Sequence, residues 1–167
     1  MLLSEKQERG GVHLSVDLEE RYDCIYRYCY MKLQNRQAAE DATQETFLAF
    51  LESGTYRDMG RELSYLYTIA RNKCMDYYRK KECLSLSEES EGQEEDMAQR
   101  LVVSQSLKEA LKALTEEEQE LIFLRYVNET PVGVMAKLTG QSRFAVRRRL
   151  KRILAKLGGI LGKEDAF

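Results

Sequence analysis

Apolar residues recur along most of the chain at the spacing of one helix face. From Leu18 to Leu33 they fall at Leu18, Tyr22, Ile25, Tyr26, Cys29 and Leu33, which predicts a first helix. From Ala38 to Leu51 the positions are Ala39, Ala42, Phe47, Leu48, Phe50 and Leu51, a second helix, in which Phe47 is expected in the core. "SGTYRDMG", residues 53–60, carries the Gly and Asp of a loop. A third helix runs from about Glu62 to Lys81, with Leu66, Ile69, Ala70 and Tyr77 inward. Its Arg79, Lys80 and Lys81 complement the dipole at its C-terminal end. Four shorter helices follow a break. Leu107, Leu111 and Leu114 mark the first of them. "TEEE", residues 115–118, is a capping box that opens a helix through "QELIFLRYV". Thr130 caps a short helix with Pro131 in its first turn, ending near Gly140. Ser142 caps the last helix, which Gly158-Gly159 is expected to stop.

Composition supports a chain that is nearly all helix. Of 167 residues one is proline, and Leu, Glu, Lys, Arg and Ala abound. Hydrophobic residues make up 43%, enough for a packed core. No apolar run approaches the roughly 18 residues needed to span a membrane. "MLLSEKQERGG" lacks the apolar stretch of a signal peptide, so a cytoplasmic protein without membrane insertion is expected. Cys24, Cys29, Cys74 and Cys83 form no C-x-x-C pair, and His13 is the single histidine. That supply predicts reduced, partly buried thiols, no metal site and no cofactor. A Ser-His-Asp centre would need His13, in an N-terminal segment expected to be loose, so no catalytic residue is expected.

Charge divides the chain further. The formal net charge is -2, yet its parts differ. Residues 17–81 balance both signs. Residues 82–99 hold Glu82, Glu88, Glu89, Glu91, Glu94, Glu95 and Asp96 with no basic residue, the composition of a flexible solvated linker. Residues 105–163 turn basic. The expected fold is therefore all-α: two small helical domains joined by an acidic flexible linker, the C-terminal one containing a helix-turn-helix.

"TPVGVMAKLTGQSRFAVRRRLKRIL" has that helix-turn-helix layout. Ala136 is small where two helices would cross, and Gly140 suits a left-handed turn. Met135, Leu138, Val146, Leu150, Ile153 and Leu157 are expected to face the core. Arg143, Arg147, Arg148, Lys151 and Arg152 then point largely outward. A single-signed basic face after such a turn predicts DNA binding, because Arg bonds guanine bidentately and every basic residue attracts phosphate. Thr139 and Gln141 stand where apolar residues are usual.

Three stretches in order resemble a known family. "AEDATQETFLAFL", residues 39–51, and "LSYLYTIARNKCMDYYRKK", residues 63–81, resemble motifs of bacterial RNA polymerase sigma factors of the sigma-70 family. Residues 110–157 resemble the family's C-terminal promoter-binding domain, and order and spacing are similar to the extracytoplasmic-function (ECF) type. The resemblance implies sigma region 2 at 17–82, a connector at 83–104 and sigma region 4 at 105–163. It implies that Asp41, Gln44 and Glu45 dock on the clamp of the polymerase largest subunit. It assigns Tyr65, Tyr67, Asn72, Asp76, Tyr78 and Arg79 to recognition and melting of the downstream (-10) promoter element. Tyr65 stands where the family usually has Trp, and Tyr77 is expected in the core. The loop 54–63 corresponds to one that often pockets a flipped base. Ser142, Arg143, Arg147, Arg148, Lys151 and Arg152 correspond to the part of the protein that reads the upstream (-35) element. The flap of the second-largest subunit and an anti-sigma factor are further partners the resemblance suggests.

The resulting reading is a promoter-specificity subunit that is not an enzyme. Two rivals stay open at this stage. One is a stand-alone helix-turn-helix regulator with an N-terminal sensor or dimerisation domain. The other is a small enzyme, for which the sequence offers no acid–base or metal constellation.

Overall fold

The structure, a computed structural model, describes residues 8–53, 61–85 and 105–164. The loop positions 54–60 and residues 86–104, the bulk of the acidic tract, lie outside the described residues. Among the described residues the secondary structure is helical throughout. In order these helices are α1 (Glu8–Leu33), α2 (Arg36–Glu52), α3 (Glu62–Ser85), α4 (Gln105–Lys112), α5 (Glu116–Ile122), α6 (Val132–Thr139) and α7 (Arg143–Glu164). A π-helical turn, Phe123–Val127, continues α5. The chain divides between Ser90 and Glu91 into two compact units. No described helix is long and apolar enough to cross a membrane.

The N-terminal unit packs α1, α2 and α3 against one another. Gln34 takes a left-handed conformation (φ 50°) that ends α1, and Asn35 then caps α2 by accepting from the Ala38 N–H at 2.8 Å. The core is closed by Ile25, Tyr28, Cys29 and Leu33 of α1, Phe50 of α2, and Leu66, Tyr67, Ala70 and Cys74 of α3. The Tyr28 and Tyr67 rings meet edge to face at 5.3 Å. On α2 small residues do the close packing: Ala38, Ala39, Ala42, Thr43 and Thr46 are all buried. Each threonine hydroxyl donates to the carbonyl one turn earlier, Thr43 to Ala39 and Thr46 to Ala42, both at 2.6 Å. Their polarity is thereby satisfied inside the helix. All four cysteines are free thiols, with Cys29 and Cys74 buried and Cys83 exposed.

Several sequence expectations change here. Residues from Glu8 are helical, so His13 belongs to α1 and not to a loose segment. Leu18, Leu48 and Leu51 belong to the apolar pattern that predicts these helices, yet they are exposed, the latter two by 59% and 61%. Helix α3 runs on to Ser85 and so takes the first residues of the expected linker.

The C-terminal unit sets α4, α5 and α6 around α7. Thr115 and Glu118 form the expected capping box, each side chain bonded to the other's backbone N–H. Gln119 donates to the carbonyls of Leu111 and Leu114, satisfying acceptors left open at the end of α4. The π turn leaves Leu124 buried and Tyr126 and Val127 exposed. Thr130 does not cap α6. Its N–H donates to Leu124 at 2.8 Å, and Pro131 is the N-cap, its carbonyl accepting from Val134 and Met135. Gly140 turns the chain with φ 66°, a conformation in which a β-carbon is disfavoured. Ser142 Oγ accepts from the Ala145 N–H at 3.1 Å and caps α7. The inward residues are as expected: Met135, Leu138, Val146, Leu150, Ile153 and Leu157 are all buried. Gly158-Gly159 does not stop α7, which continues to Glu164. Half-buried Ile160 and Leu161 give that extra turn something to cover.

Candidate nucleic-acid interface

The basic residues of α7 fall into two sets that the sequence does not separate. Arg149 bonds Glu117 at 3.0 Å and Lys156 bonds Glu118 at 3.1 Å, tying α7 to the first turn of α5. Among the described residues no carboxylate pairs with Arg143, Arg147, Arg148, Lys151 or Arg152. All five are exposed. Arg143 lies across Gly133 of α6, where an added β-carbon would come within 3.2 Å of its Nη2. The sequence predicted these five as outward, and they are. It gave no sign that Arg149 and Lys156 serve the fold. Uncompensated cations on one side of a helix that follows a tight turn form a surface suited to a polyanion.

Glu118 does two jobs in this unit. The Thr115 N–H and the Lys156 ammonium both bond its carboxylate, and together they hold it below the usual glutamate range, the backbone bond having the larger effect. A depressed carboxylate contributes stability above its unfolded-state pKa and loses it as the pH falls through the folded value. The thermal midpoint of the C-terminal unit should therefore drop on the acid side. Glu118→Gln keeps an acceptor but not the charge, so it should lower the midpoint by a few degrees near neutrality and flatten that acid slope. Thermal melts of the full chain at stepped pH check this.

On α3, Tyr65, Asn72, Asp76 and Arg79 are exposed along one face, and Thr68 and Met75 share it without having been singled out by sequence. Tyr65 rests against Phe50 with ring centroids 6.0 Å apart. Asp76 and Arg79 pair with each other at 3.4 Å. Tyr78 leaves its ring exposed while its hydroxyl donates to the Lys32 carbonyl. Tyr67 is a correction. It is 0% exposed, on the opposite face of α3 with Ala70 and Cys74, and cannot touch DNA without unfolding the unit. Tyr77, expected in the core, is half-buried against Tyr78.

A third surface lies on α2. Asp41, Gln44 and Glu45 are exposed and, with Leu48 and Leu51, follow one another at helical spacing. Asp41 accepts from Gln37 at 3.1 Å, and Glu45 pairs with Lys73 of α3 at 3.2 Å. Phe47, expected in the core, is half-buried against Tyr22 at 5.4 Å. The stripe thus starts acidic and ends apolar.

Comparison with known proteins agrees with this layout. The "Sigma-70 region 2" family profile matches residues 18–82, and the "Sigma-70, region 4" profile matches residues 104–157. The chain is 30% identical over 172 residues to the ECF RNA polymerase sigma factor BldN of Streptomyces coelicolor. That match covers 94% of this chain and 65% of BldN. It is 28% identical over 174 residues to the ECF sigma factor SigW of Bacillus subtilis, covering 86% of this chain and 92% of SigW. The fold resembles the sigma factor RpoE of Bartonella quintana, solved with the anti-sigma factor NepR. The TM-score is 0.62 at 19% identity, over 90% of this chain and 97% of that one. It also resembles CnrH, solved with the cytosolic domain of CnrY, at a TM-score of 0.57 and 22% identity, covering 96% and 92%.

Proposed function

Since the chain belongs to the extracytoplasmic-function type of the sigma-70 family, we propose that it binds core RNA polymerase and directs it to promoters through separate surfaces on its two units. The exposed face of α7, with Ser142, Arg143, Arg147, Arg148, Lys151 and Arg152, reads the upstream (-35) element as duplex. The observation that carries this is the division of charge on α7. Two of its cations are neutralised by α5, while the five that face solvent have no acidic partner among the described residues. The exposed face of α3, with Tyr65, Asn72, Asp76 and Arg79, acts on the downstream (-10) element once opened; Tyr78, on the Tyr67 side of the helix with its hydroxyl bonded to the Lys32 carbonyl, is left to packing against α1. Unpaired bases need stacking and hydrogen-bonding partners, and aromatic, amide and guanidinium groups supply both. The chain provides binding surfaces and no catalytic centre of its own. Its surroundings are the cytoplasm, where polymerase and promoter are found.

The α2 stripe docks on the clamp of the polymerase largest subunit, its acidic end meeting cations and Leu48 and Leu51 meeting an apolar patch. The flap of the second-largest subunit is assigned to the C-terminal unit. An anti-sigma factor, the class of partner bound by the RpoE of the solved complex, is a further candidate. Reversing Asp41 and Glu45 to Lys should weaken core binding by about 5- to 30-fold, from lost complementarity at about 1–2 kcal/mol. Leu48→Asp should do the same while leaving the helical circular dichroism unchanged. Core affinity by fluorescence anisotropy decides it.

The whole reading is tested by co-purification with core polymerase and by transcription in vitro on a promoter pool. A stand-alone regulator would neither hold core stably nor make it start at new promoters.

A further inference from the structure

Phe144 is 72% exposed, the second residue of α7, one turn before Arg148. A single exposed apolar side chain calls for no explanation by itself. Its position is what sets Phe144 apart. Residues 144, 148, 151 and 152 lie on one side of the helix, so the ring sits within the uncompensated cationic face. The Arg148 guanidinium lies over that ring, with Cζ 5.9 Å from the centroid. At that distance the ring limits where the guanidinium can lie on the exposed face. An Arg restrained beside an apolar ring has less freedom to lose when it bonds guanine O6 and N7 bidentately.

We propose that Phe144 and Arg148 form one composite reading unit. Arg148 takes a guanine, and the Phe144 ring packs on the C5-methyl of the thymine adjacent to it. The occupant follows from the surface. The five cations around the ring select DNA over an apolar protein partner. In the major groove the thymine methyl is the apolar group displayed on a base edge. An N-terminal residue of a helix after the turn is placed to reach base edges in that docking mode. The unit therefore specifies a two-base step, guanine by hydrogen bonds and thymine by apolar contact. The inference rests on α7 being the helix that reads the upstream element.

The experiment uses holoenzyme assembled from the full chain and core polymerase, and random duplexes selected on it. On the enriched upstream duplex each thymine is replaced in turn by deoxyuracil, which removes the methyl and leaves the pairing intact. At one thymine beside a guanine, uracil should weaken wild-type binding roughly fourfold, the worth of one buried methyl. Phe144→Ala should bind the thymine duplex about as weakly as wild type binds the uracil duplex, and should not distinguish the two. Being exposed, Phe144 should leave the thermal melt unchanged when replaced. Arg148→Ala should lose preference for the neighbouring guanine. If uracil is neutral at every thymine, or weakens Phe144→Ala as much as wild type, the methyl contact is wrong while the reading of α7 stands. If wild-type holoenzyme binds selected and scrambled upstream duplexes equally, the reading of α7 falls and the composite unit falls with it.

Discussion

Tyr67→Ala should unfold much of the N-terminal unit, while Asn72→Ala, five residues along the same helix, should leave it folded and impair promoter opening. Tyr67 is wholly buried, edge to face with Tyr28 across α1 and α3. Truncating a buried ring of that size costs about 3–5 kcal/mol, from lost transfer energy and the cavity left behind. That is a large share of the stability of any small domain. Chemical denaturation followed by far-ultraviolet circular dichroism should show the early loss. Asn72 is exposed, and its replacement by Ala, a better helix former, should leave that transition in place. Holoenzyme carrying Asn72→Ala should still capture duplex promoter but show weak permanganate reactivity at the melted thymines. Should Asn72→Ala open promoters normally, the exposed face of α3 loses its assigned role. Should Tyr67→Ala stay fully folded and fail only in opening, the exclusion of Tyr67 from DNA contact is wrong.

Tyr67 also shows where sequence reasoning succeeds and where it misleads. The resemblance placed Tyr67 among DNA-facing positions, yet its spacing to Ala70 and Cys74 puts it on the buried face of α3. The helical period held the answer and was outweighed by a motif. The opposite error occurs on α2, where apolar identity suggested that Phe47 is core, and where Leu48 and Leu51 of the same apolar pattern are exposed. Alanines and threonines fill that contact, and buried Thr43 and Thr46 look polar on paper because their internal hydroxyl bonds cannot be seen there. On α7 the spacing is the safer guide, although Phe144 and Leu154 are apolar and exposed. Val146, Leu150, Ile153 and Leu157 recur at helical spacing, and every expected core position from Val146 to Leu157 is buried. Turn chemistry was legible where one residue decides it, as at Gly140, Ser142 and the Thr115–Glu118 box. It was not legible at Gly158-Gly159, where a local cost of about 1 kcal/mol per glycine is overridden by the next apolar turn. The division of α7 cations into paired and unpaired sets was invisible, because the partners Glu117 and Glu118 lie more than thirty residues away in the chain.

That division yields the sharpest expectation for function. Arg147→Ala and Arg148→Ala, in the half of α7 nearer its N-terminus, should lose about 1–3 kcal/mol, roughly 5- to 150-fold, against the cognate upstream element and much less against a scrambled one. Lys151→Ala and Arg152→Ala should weaken both duplexes alike and shallow the salt dependence by about one phosphate contact each, because a phosphate carries no sequence. Arg149→Ala and Lys156→Ala are the internal controls. Each breaks a bond to α5, so the thermal midpoint should fall by a small amount while discrimination between the duplexes persists. Titration of holoenzyme against both duplexes at several salt concentrations, with melts of the free chain in parallel, separates the groups. Two shared properties, membership of α7 and positive charge, would predict the same result for all six substitutions. Three different results are expected: a carboxylate already facing the cation sets Arg149 and Lys156 apart, and nearness to the helix N-terminus separates Arg147 and Arg148 from Lys151 and Arg152. If Arg149→Ala cost as much discrimination as Arg147→Ala, then pairing within the unit does not decide which cations reach DNA, and the reading surface on α7 would have to be redrawn around both sets.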